Sequence, residues 1–490
     1  MAASGTQLID ALPDGMLLEV VGDGVPDLEL VDLTHDSRQV EPGWVFACVP
    51  GGRHDGHDFA AGAVADGSAL LLVERRLPLD VAQLVVVDVR RTMGALAAAV
   101  HGRPADRLRL IGVTGTNGKT TTTHLVGAIL RAAGVEHRQL GTLSGARTTP
   151  EAPDLQRLLA TFVAEGVDTV VMEVSSHALA LHRVVGTRFD VGVFTNLGHD
   201  HLDLHGTVEA YFRAKAELFT PALSDVGVVN VDDPYGRLLL DSSEIEMVGF
   251  GIDDAADLRV GIEGLSFVWR GVAVEVPLGG RFNASNALAA LTATAELGVE
   301  PRVAAAGLAA MDPVPGRFEA VSDADAPFTV IVDYAHTPDG LAELLDAVRA
   351  DTGAGRVICV FGCGGDRDRE KRPLMGATAA EHADLVVATS DNPRHEDPQV
   401  IIDETVAGID RRYRDRLTIE VDRRRGIRAA LDMADAGDVV VIAGKGHEAT
   451  QTIGDTDHPF DDRAVARELL AGMTNRPDPT DIPNANGGAA

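Results

Sequence analysis

Four lysines, Lys119, Lys215, Lys371 and Lys445, stand in a chain whose 43 basic residues are otherwise arginine. Where lysine is avoided this strongly, the retained ones mark places where a guanidinium would fail. A lysine ammonium is a compact charge that can shed its proton and become a nucleophilic amine; a guanidinium practically cannot. Lys119 lies in "GVTGTNGKTTT". A strict P-loop carries a glycine five residues before its Gly-Lys pair, and Val113 holds that place here. Gly112, Gly115 and Gly118, followed by Lys119 and Thr120, still make a turn of exposed backbone N–H groups at a helix N-terminus. Such a turn binds phosphate through oriented amides and the helix dipole. Lys119 would reach the β- and γ-phosphates, and the Thr120 hydroxyl would bind Mg²⁺.

Downstream, "MEVSSHAL" puts Glu173 at the end of a strand, and "FTNLGHDHLDLHGTVEAYFRAKAELF" follows. A carboxylate and an imidazole at strand ends beside a phosphate loop suggest Mg²⁺ ligation, although hard cations prefer oxygen. Taken alone, His199, His201 and His205 read as zinc ligands or polar loop residues. Lys215 taken alone reads as a surface lysine on an amphipathic helix.

The elements that must position these groups alternate strand and helix. "RLRLIGVTGTNGKTTTTHLVGAILRAAG" reads as strand, glycine-rich turn and helix. Strand-like "DTVVMEV", "FDVGVFTNL" and "VGVVNVDD" follow, with helical stretches between them. A second series runs through "FTVIVDYAH", "GRVICVFGCGG", "ADLVVATSD" and "DVVVIAGKG". This alternation predicts an α/β protein with mainly parallel sheets covered by helices. At 490 residues the chain is too long for one core. Three domains are expected: residues 1–107, a central nucleotide-binding region 108–313 and a Rossmann-like α/β region 314–473. Residues 474–490, rich in Pro, Asn and Gly, are expected to be a disordered tail.

The formal charge of −31 argues against a general nucleic-acid binder or docking on an anionic membrane. The composition suits a GC-rich genome, a salty cytoplasm or both. The start has neither a basic nor an apolar signal segment, and no apolar run approaches the ~20 residues of a membrane helix. Cys48, Cys359 and Cys363 make neither a disulfide framework nor a zinc site. A cytoplasmic enzyme is expected.

"TGTNGKTTT", "MEVSSHAL", "TNLGHDHLDLHG" and the helix with Lys215 closely resemble the Mur ligases, which build the peptidoglycan peptide. The resemblance covers nearly the whole chain. "DSRQVEPGWVFACVPG" looks like the uridine-nucleotide domain of the branch that adds the third peptide residue. "VPGRFEAV", "VDYAHTPDGL", "FGCGGDRDREKRPLMG", "DNPRHEDP" and "AGKGHE" look like its carboxy-terminal half. The resemblance implies an ATP-dependent amide ligase. The acceptor carboxylate, from D-glutamate, would attack the γ-phosphate to give an acyl phosphate, and the amine of an incoming amino acid would displace phosphate. The domains are expected to close for that step, and a monomer is expected.

The resemblance also implies roles for individual residues. Lys119, Lys215, Glu173 and His201 would be catalytic. Gly115, Thr116, Asn117, Gly118, Lys119, Thr120 and Thr121, with Asn283, Arg317 and Asp333, would hold the nucleotide. Two Mg²⁺ ions would be held by Thr120, Glu173, His201 and Lys215, the last carrying a carbamate derived from CO₂. Only a neutral amine reacts with CO₂, which explains a lysine that arginine cannot replace. Ser37, Thr148, Thr149, Ser175 and Arg183 match acceptor positions. Arg367, Asp391, Asn392, Pro393, Arg394, Gly444 and Glu448 match amino-acid positions. "DNPR" is the form associated with meso-diaminopimelate, whose extra carboxylate Arg394 would meet. For Lys371 and Lys445, structural and phosphate-adjacent roles stand equally. Leu181 and Arg147 depart from the family pattern on the acceptor side. The rivals are an L-lysine-adding relative, a folylpolyglutamate or cyanophycin-type ligase, and a P-loop phosphotransferase or ATPase.

Overall fold

The computed structural model describes residues 2–52, 54–145, 147–198, 200–322 and 326–474. His199 and the tail from residue 475 lie outside the described residues. The chain packs as two compact units. The first holds the described residues up to 259 together with 265–277 and 282–312; the second holds 260–264, 278–281 and the described residues from 313 onward.

A six-stranded sheet organises the first unit. Its order is Glu246–Phe250, Ser224–Asn230, Phe189–Phe194, Arg109–Thr114, Thr169–Glu173 and His137–Leu140, parallel throughout. The central strands read "RLIGVT", "TVVME" and "FDVGVF". Such apolar, β-branched runs suit strands buried on both faces. From Arg109–Thr114 the sheet grows first to one side, through Thr169–Glu173, and then to the other, through Phe189–Phe194. That is a topological switch point, where loops leave the carboxyl ends in opposite directions and open a crevice. The register sets Glu173 beside Val113 and Phe194 beside Thr114, so the three strand ends finish level.

A five-stranded sheet precedes it, ordered Leu17–Val21, Ala82–Val86, Leu70–Val73, Val45–Ala47 and Leu33–Thr34. Its first pair is antiparallel and the rest parallel. A buried charge rivets this sheet to the central region. Arg157, on the helix Ala152–Ala164, donates to both Asp32 carboxylate oxygens at 2.7 and 3.1 Å and to the Leu33 carbonyl at 3.3 Å. The His101 ring meets Asp32 at 3.0 Å, and the Arg157 guanidinium lies 5.4 Å from the Trp44 ring centre.

The second unit is a six-stranded sheet ordered Glu319–Ala320, Thr329–Asp333, Val439–Ala443, Val357–Phe361, Leu385–Ala388 and Leu417–Ile419. Only the first pair is antiparallel. Here the order reverses between Val439–Ala443 and Val357–Phe361, which makes a second crevice. No helix among the described residues is long and apolar enough to cross a membrane. All three cysteines are buried and free.

Burial pushes the Asp32 carboxyl up, but hydrogen bonds from His101, Arg157 and the Leu33 N–H outweigh it and hold it down at about 2. A depressed carboxyl stabilises the fold above its unfolded value of ~3.9, and that stabilisation is lost as pH falls through its folded value. Nearly two pKa units correspond to about 2 kcal/mol at neutral pH. Asp32→Asn should therefore lower the melting temperature by several degrees at pH 7, with the gap to wild type narrowing between about pH 4 and pH 2. A gap that stays constant across that range would assign Asp32 a role through shape rather than charge.

Candidate active site

The helix Lys119–Ala132 starts directly after Gly118, so its first-turn N–H groups point into the loop 115–118. Glycine is required at two of these positions. Gly115 has φ +152° and a side chain there would strike Thr195; Gly118 has φ +86° and a side chain would strike Asn286. The loop is held from behind. Asn196 accepts from the Thr116 N–H through its carbonyl and from the Asn117 N–H through its side chain, each at 2.9 Å. Thr195 Oγ1 donates to the Asn117 carbonyl at 2.6 Å. Thr121 is buried in the first helical turn.

Lys119 Nζ donates to the carbonyls of Gly115 and Thr116, both at 2.8 Å. Lys215 Nζ donates to the same Gly115 carbonyl, also at 2.8 Å. Lys215 sits on the helix Val208–Ala216 and is 1% exposed, which overturns the surface-lysine reading of the bare helical pattern. The amphipathic pattern identifies a buried face but not what lies beneath it. Here that face packs on the phosphate loop through Tyr211, whose hydroxyl meets Thr116 Oγ1 at 3.1 Å and whose ring lies 4.4 Å from Lys215 Nζ. Burial and the Lys119 charge push the Lys215 amine well below its ordinary value, against the opposing pull of Asp200.

Thr120 Oγ1 donates to Glu173 Oε1 at 3.0 Å. Glu173 also accepts from the Thr142 N–H at 2.8 Å and the Thr142 hydroxyl at 3.2 Å. Burial lowers His201 to about 3, helped by His177, Lys119 and Lys215 and opposed by Asp200. Its backbone is left-handed, φ +54°, a costly conformation for a non-glycine residue. The rings of His177 and His201 are 4.7 Å apart, and His205 stacks 5.1 Å from Tyr211. Among the described residues, no group of three or more His, Cys, Asp or Glu side chains is arranged to hold a metal ion. The donor set nonetheless fits Mg²⁺, which keeps several waters and takes one or two protein oxygens plus substrate phosphates. Thr120 and Glu173 supply those oxygens.

The acceptor-side residues also converge. Thr149 Oγ1 donates to the Glu173 carbonyl at 2.9 Å and accepts from the Ser175 N–H at 3.1 Å. Arg183 reaches the Thr149 carbonyl at 3.3 Å, and Thr148 meets Thr142 at 3.1 Å. Ser37 stands elsewhere, in a short turn Ser37–Gln39 after the strand Leu33–Thr34, capped by Asp36. Asn283 is buried on the helix Arg281–Glu296 and accepts from Asn286. Asn286 donates to Asn283 at 2.9 Å and faces Gly118.

In the second unit, Asp333 accepts from the Phe318 and Ala335 N–H groups at 2.7 Å each. Burial pushes its carboxyl up, against Arg317. The Arg317 guanidinium lies 4.3 Å from the Tyr334 ring centre and 3.3 Å from His447 Nδ1. At the crevice, Asn392 Nδ2 donates to Glu448 at 2.7 Å. Lys445, fully buried, donates to Asn392 at 3.2 Å, Glu448 at 3.1 Å and the Thr450 carbonyl at 2.6 Å. It therefore braces two of the expected amino-acid residues. Asp391 Oδ2 lies 2.7 Å from where a Gly444 side chain would begin. Arg394 has φ +49° and donates to the Gly365 carbonyl at 2.7 Å. Gly364 separates Arg394 from the exposed Arg367, and the Pro393 carbonyl packs against Gly365. Lys371 opens the helix Lys371–His382 and is buried.

Sequence reasoning missed Asn196, Asn286, Thr142, Tyr211 and Asp200. The doubled Asn of "FNASN" and the "YFRAK" spacing of Tyr211 to Lys215 are the signals that were available.

A lysine-bearing glycine loop at the switch point of a parallel sheet defines a P-loop-type α/β protein built to handle nucleotide phosphates. Family models match most of the chain: the Mur ligase family catalytic domain over residues 30–103, the Mur ligase middle domain over 113–294 and the Mur ligase glutamate ligase domain over 316–446. The chain belongs to the Mur ligase family. It is 49% identical over 472 residues to the UDP-N-acetylmuramoyl-L-alanyl-D-glutamate–2,6-diaminopimelate ligase of Gloeobacter violaceus, covering 92% of this chain and 96% of that protein. A solved structure of a ligase with the same name is 33% identical, with a TM-score of 0.68, covering 97% of this chain and 100% of the other. The fold is shared with the MurF ligase of Thermotoga maritima solved in complex with ADP, at 21% identity and a TM-score of 0.61, covering 90% and 96% of the two chains.

Lys215 carries a sign-specific prediction. Its folded value lies below the ordinary 10.5, so the unfolded chain binds the extra proton between the two values and stability rises with pH across that window. In CO₂-free buffer, wild type should gain more melting temperature between pH 7.5 and 9.5 than Lys215→Met does. Parallel profiles for the two proteins would mean that the amine is not held neutral.

Proposed function

We propose that this chain is an ATP-dependent amide ligase that adds meso-diaminopimelate to UDP-N-acetylmuramoyl-L-alanyl-D-glutamate, a step of peptidoglycan precursor synthesis. The observation that carries the reading is the convergence of Lys119 and the buried Lys215 on the Gly115 carbonyl. The Thr120–Glu173 pair adjoins it, in a chain that aligns almost end to end with a ligase of that name. Charged, nucleotide-linked substrates fit a cytoplasmic setting.

In this reading the loop amides and Lys119 receive the ATP phosphates. Lys119 exchanges its two carbonyl partners for β- and γ-phosphate oxygens, which stabilises charge on the transferring group. Thr120 and Glu173 would hold one Mg²⁺; His201 and a carbamate on Lys215 would hold a second. When bound, the ions offset charge on the phosphates. Thr149, Ser175 and Arg183 orient the acceptor so that its terminal carboxylate lies in line with the γ-phosphate. The acyl phosphate so formed is attacked by the amine of the amino acid, and phosphate leaves. Asn392 and Glu448, braced by Lys445, would accept from the ammonium of the incoming amino acid. Arg367 and Arg394 would meet its carboxylates.

Phosphate release should require the UDP-muramyl-dipeptide and the amino acid together. Release with either one alone would replace the ligase reading with a phosphatase or ATPase. Lys215→Ala should nearly abolish turnover and regain part of it in a short-chain carboxylate able to fill the vacated site. Lys215→Arg should remain inactive, because a guanidinium cannot become a carbamate. An active arginine variant would remove the carbamate.

L-lysine lacks the distal carboxylate of diaminopimelate. With lysine bound, Arg394 would lose its partner, and breaking one side of a buried charged pair costs ~2–5 kcal/mol, roughly 30- to 3,000-fold in kcat/KM. Arg394 also braces the loop through Gly365. The two roles separate in Arg394→Ala. Loss of specificity predicts that the diaminopimelate-to-lysine ratio of kcat/KM falls toward one; a bracing role predicts equal losses with both amino acids.

A further inference from the structure

The hairpin formed by Thr450–Ile453 and Thr456–Pro459 lies along the residues expected to hold the amino acid. Gln451 Nε2 donates to the Asp391 carbonyl at 2.6 Å, and the Thr452 N–H donates to Asn392 Oδ1 at 2.9 Å. The Arg394 N–H donates to the Thr452 carbonyl at 3.0 Å, and the Gly454 N–H donates to the Arg394 carbonyl at 2.7 Å. On its other side the Arg394 loop meets residues 364–366. The Gly365 N–H donates to the Asn392 carbonyl at 2.8 Å, and the Asp366 N–H donates to Glu396 at 2.6 Å. One side chain ties these segments together. His395 Nδ1 meets Asp366 Oδ2 at 2.8 Å, and its Nε2 meets Asp455 Oδ1, on the hairpin turn, at 3.0 Å. An ionised carboxylate only accepts and a neutral imidazole has a single N–H, so both bonds exist together only in the imidazolium. Asp366 and Arg394 are both left-handed, at φ +52° and +49°. Such backbone persists only where its surroundings hold it.

We propose that His395 is a positioning residue for the incoming amino acid: as an imidazolium it latches Asp366 to Asp455, and so holds Arg394 and the neighbouring loop with Arg367 in place for the carboxylates of the substrate. This rests on the ligase reading above and adds His395, Asp366 and Asp455 to it. The charged groups that face the ring are Asp366, from residues 364–366, and Asp455, from the hairpin. Glu396, on the same loop as His395, is taken by Arg372 at 2.7 and 2.9 Å, and Arg394 is engaged with the Gly365 carbonyl. The hydrogen bond to Asp366, followed by that to Asp455, raises the imidazole above its ordinary 6.5, and the same contact with His395 lowers Asp366. The latch is therefore complete below the ordinary value and is lost as pH rises through the raised one, where one of the two bonds must break. The ring is 61% exposed, so solvent screens both pairs and the effect is a few-fold change rather than a total loss.

The test is steady-state kinetics of wild type, His395→Gln and Asp455→Asn with varied meso-diaminopimelate at saturating ATP and acceptor, between about pH 6.5 and pH 9. Each variant is read as a ratio to wild type, which cancels the titration of the substrate's own amines. At the acid end His395→Gln should raise the KM for diaminopimelate roughly three- to tenfold with kcat within about twofold, the signature of lost uniform binding. The ratio should fall toward one as pH rises and wild type loses its own latch. Asp455→Asn removes one of the two carboxylates and should move that loss to lower pH. The Asp455 side chain is 96% exposed, so its replacement leaves the fold standing. A His395→Gln ratio that is equal at every pH, or a lower kcat with KM unchanged, overturns the proposal; so does a KM profile that Asp455→Asn leaves in place. Wild type that forms no amide with diaminopimelate sinks the ligase reading and this role with it, whereas an active wild type with an indifferent His395→Gln sinks only the role of His395.

Discussion

A single carbonyl oxygen, that of Gly115, accepts from two lysines at once. Two unit charges ~5 Å apart cost roughly 3 kcal/mol at the effective dielectric of a protein site. Added to burial, that repulsion favours the loss of one proton or the gain of an anion. Burial decides which lysine yields, because Lys215 is enclosed and Lys119 is not. In the proposed mechanism the two lysines would divide the work, Lys215 as an amine open to reaction and Lys119 as an ammonium for phosphate. The rest of the first unit serves that oxygen. Gly115 adopts a backbone no side chain would allow, Thr195 and Asn196 pin the loop, and Tyr211 holds the Lys215 helix against it.

The second unit solves a milder version of the same problem. Lys445 is buried, and Asn392, Glu448 and the Thr450 carbonyl take its three hydrogens. An ammonium carries its three hydrogens round one nitrogen, whereas a guanidinium spreads its hydrogens over a planar fork. That accounts for its survival in an arginine-dominated chain, and it turns the structural alternative for this residue into a defined one. The left-handed backbones at Arg394 and Asp366 on the neighbouring loops store strain beside the same crevice, where a turn must aim side chains rather than save energy.

How much of this was legible depends on the range of each contact. The phosphate loop is local, so strand, glycines, lysine and helix all fall within one short stretch and could be read directly. The parallel sheets followed from the alternation of apolar runs with helical stretches. The depth of Lys215 could not be read, because a helical period gives the direction of a side chain but not the element it meets. Asn196 and Asn286 were invisible for the same reason: Asn196 meets the loop across 79 residues of chain, and Asn286 meets Thr122 in the helix after it across 164. Arg147 stood out as a departure from its family's pattern, yet nothing in the sequence joined it to Arg90. Only the packing of the helix Val89–Val100 against the helix Ala152–Ala164 brings them to one carboxylate.

A chain of charge −31 that is to receive polyanionic nucleotides faces a general electrostatic obstacle. At physiological salt, exposed charges are screened within ~8 Å, so the acidic surface does not reach far. Inside a crevice the balance reverses, because buried cations are screened much less than surface ones. Concentrating positive charge at Lys119, beside a Lys215 amine held below its ordinary value, gives local attraction where screening is weakest. Leaving the surface acidic preserves solubility. The cost falls on the free protein, which must keep both lysines on the Gly115 carbonyl. In the proposed mechanism that carbonyl therefore serves phosphate binding as much as the fold, since Lys119 would leave it for the phosphates while Lys215 stays.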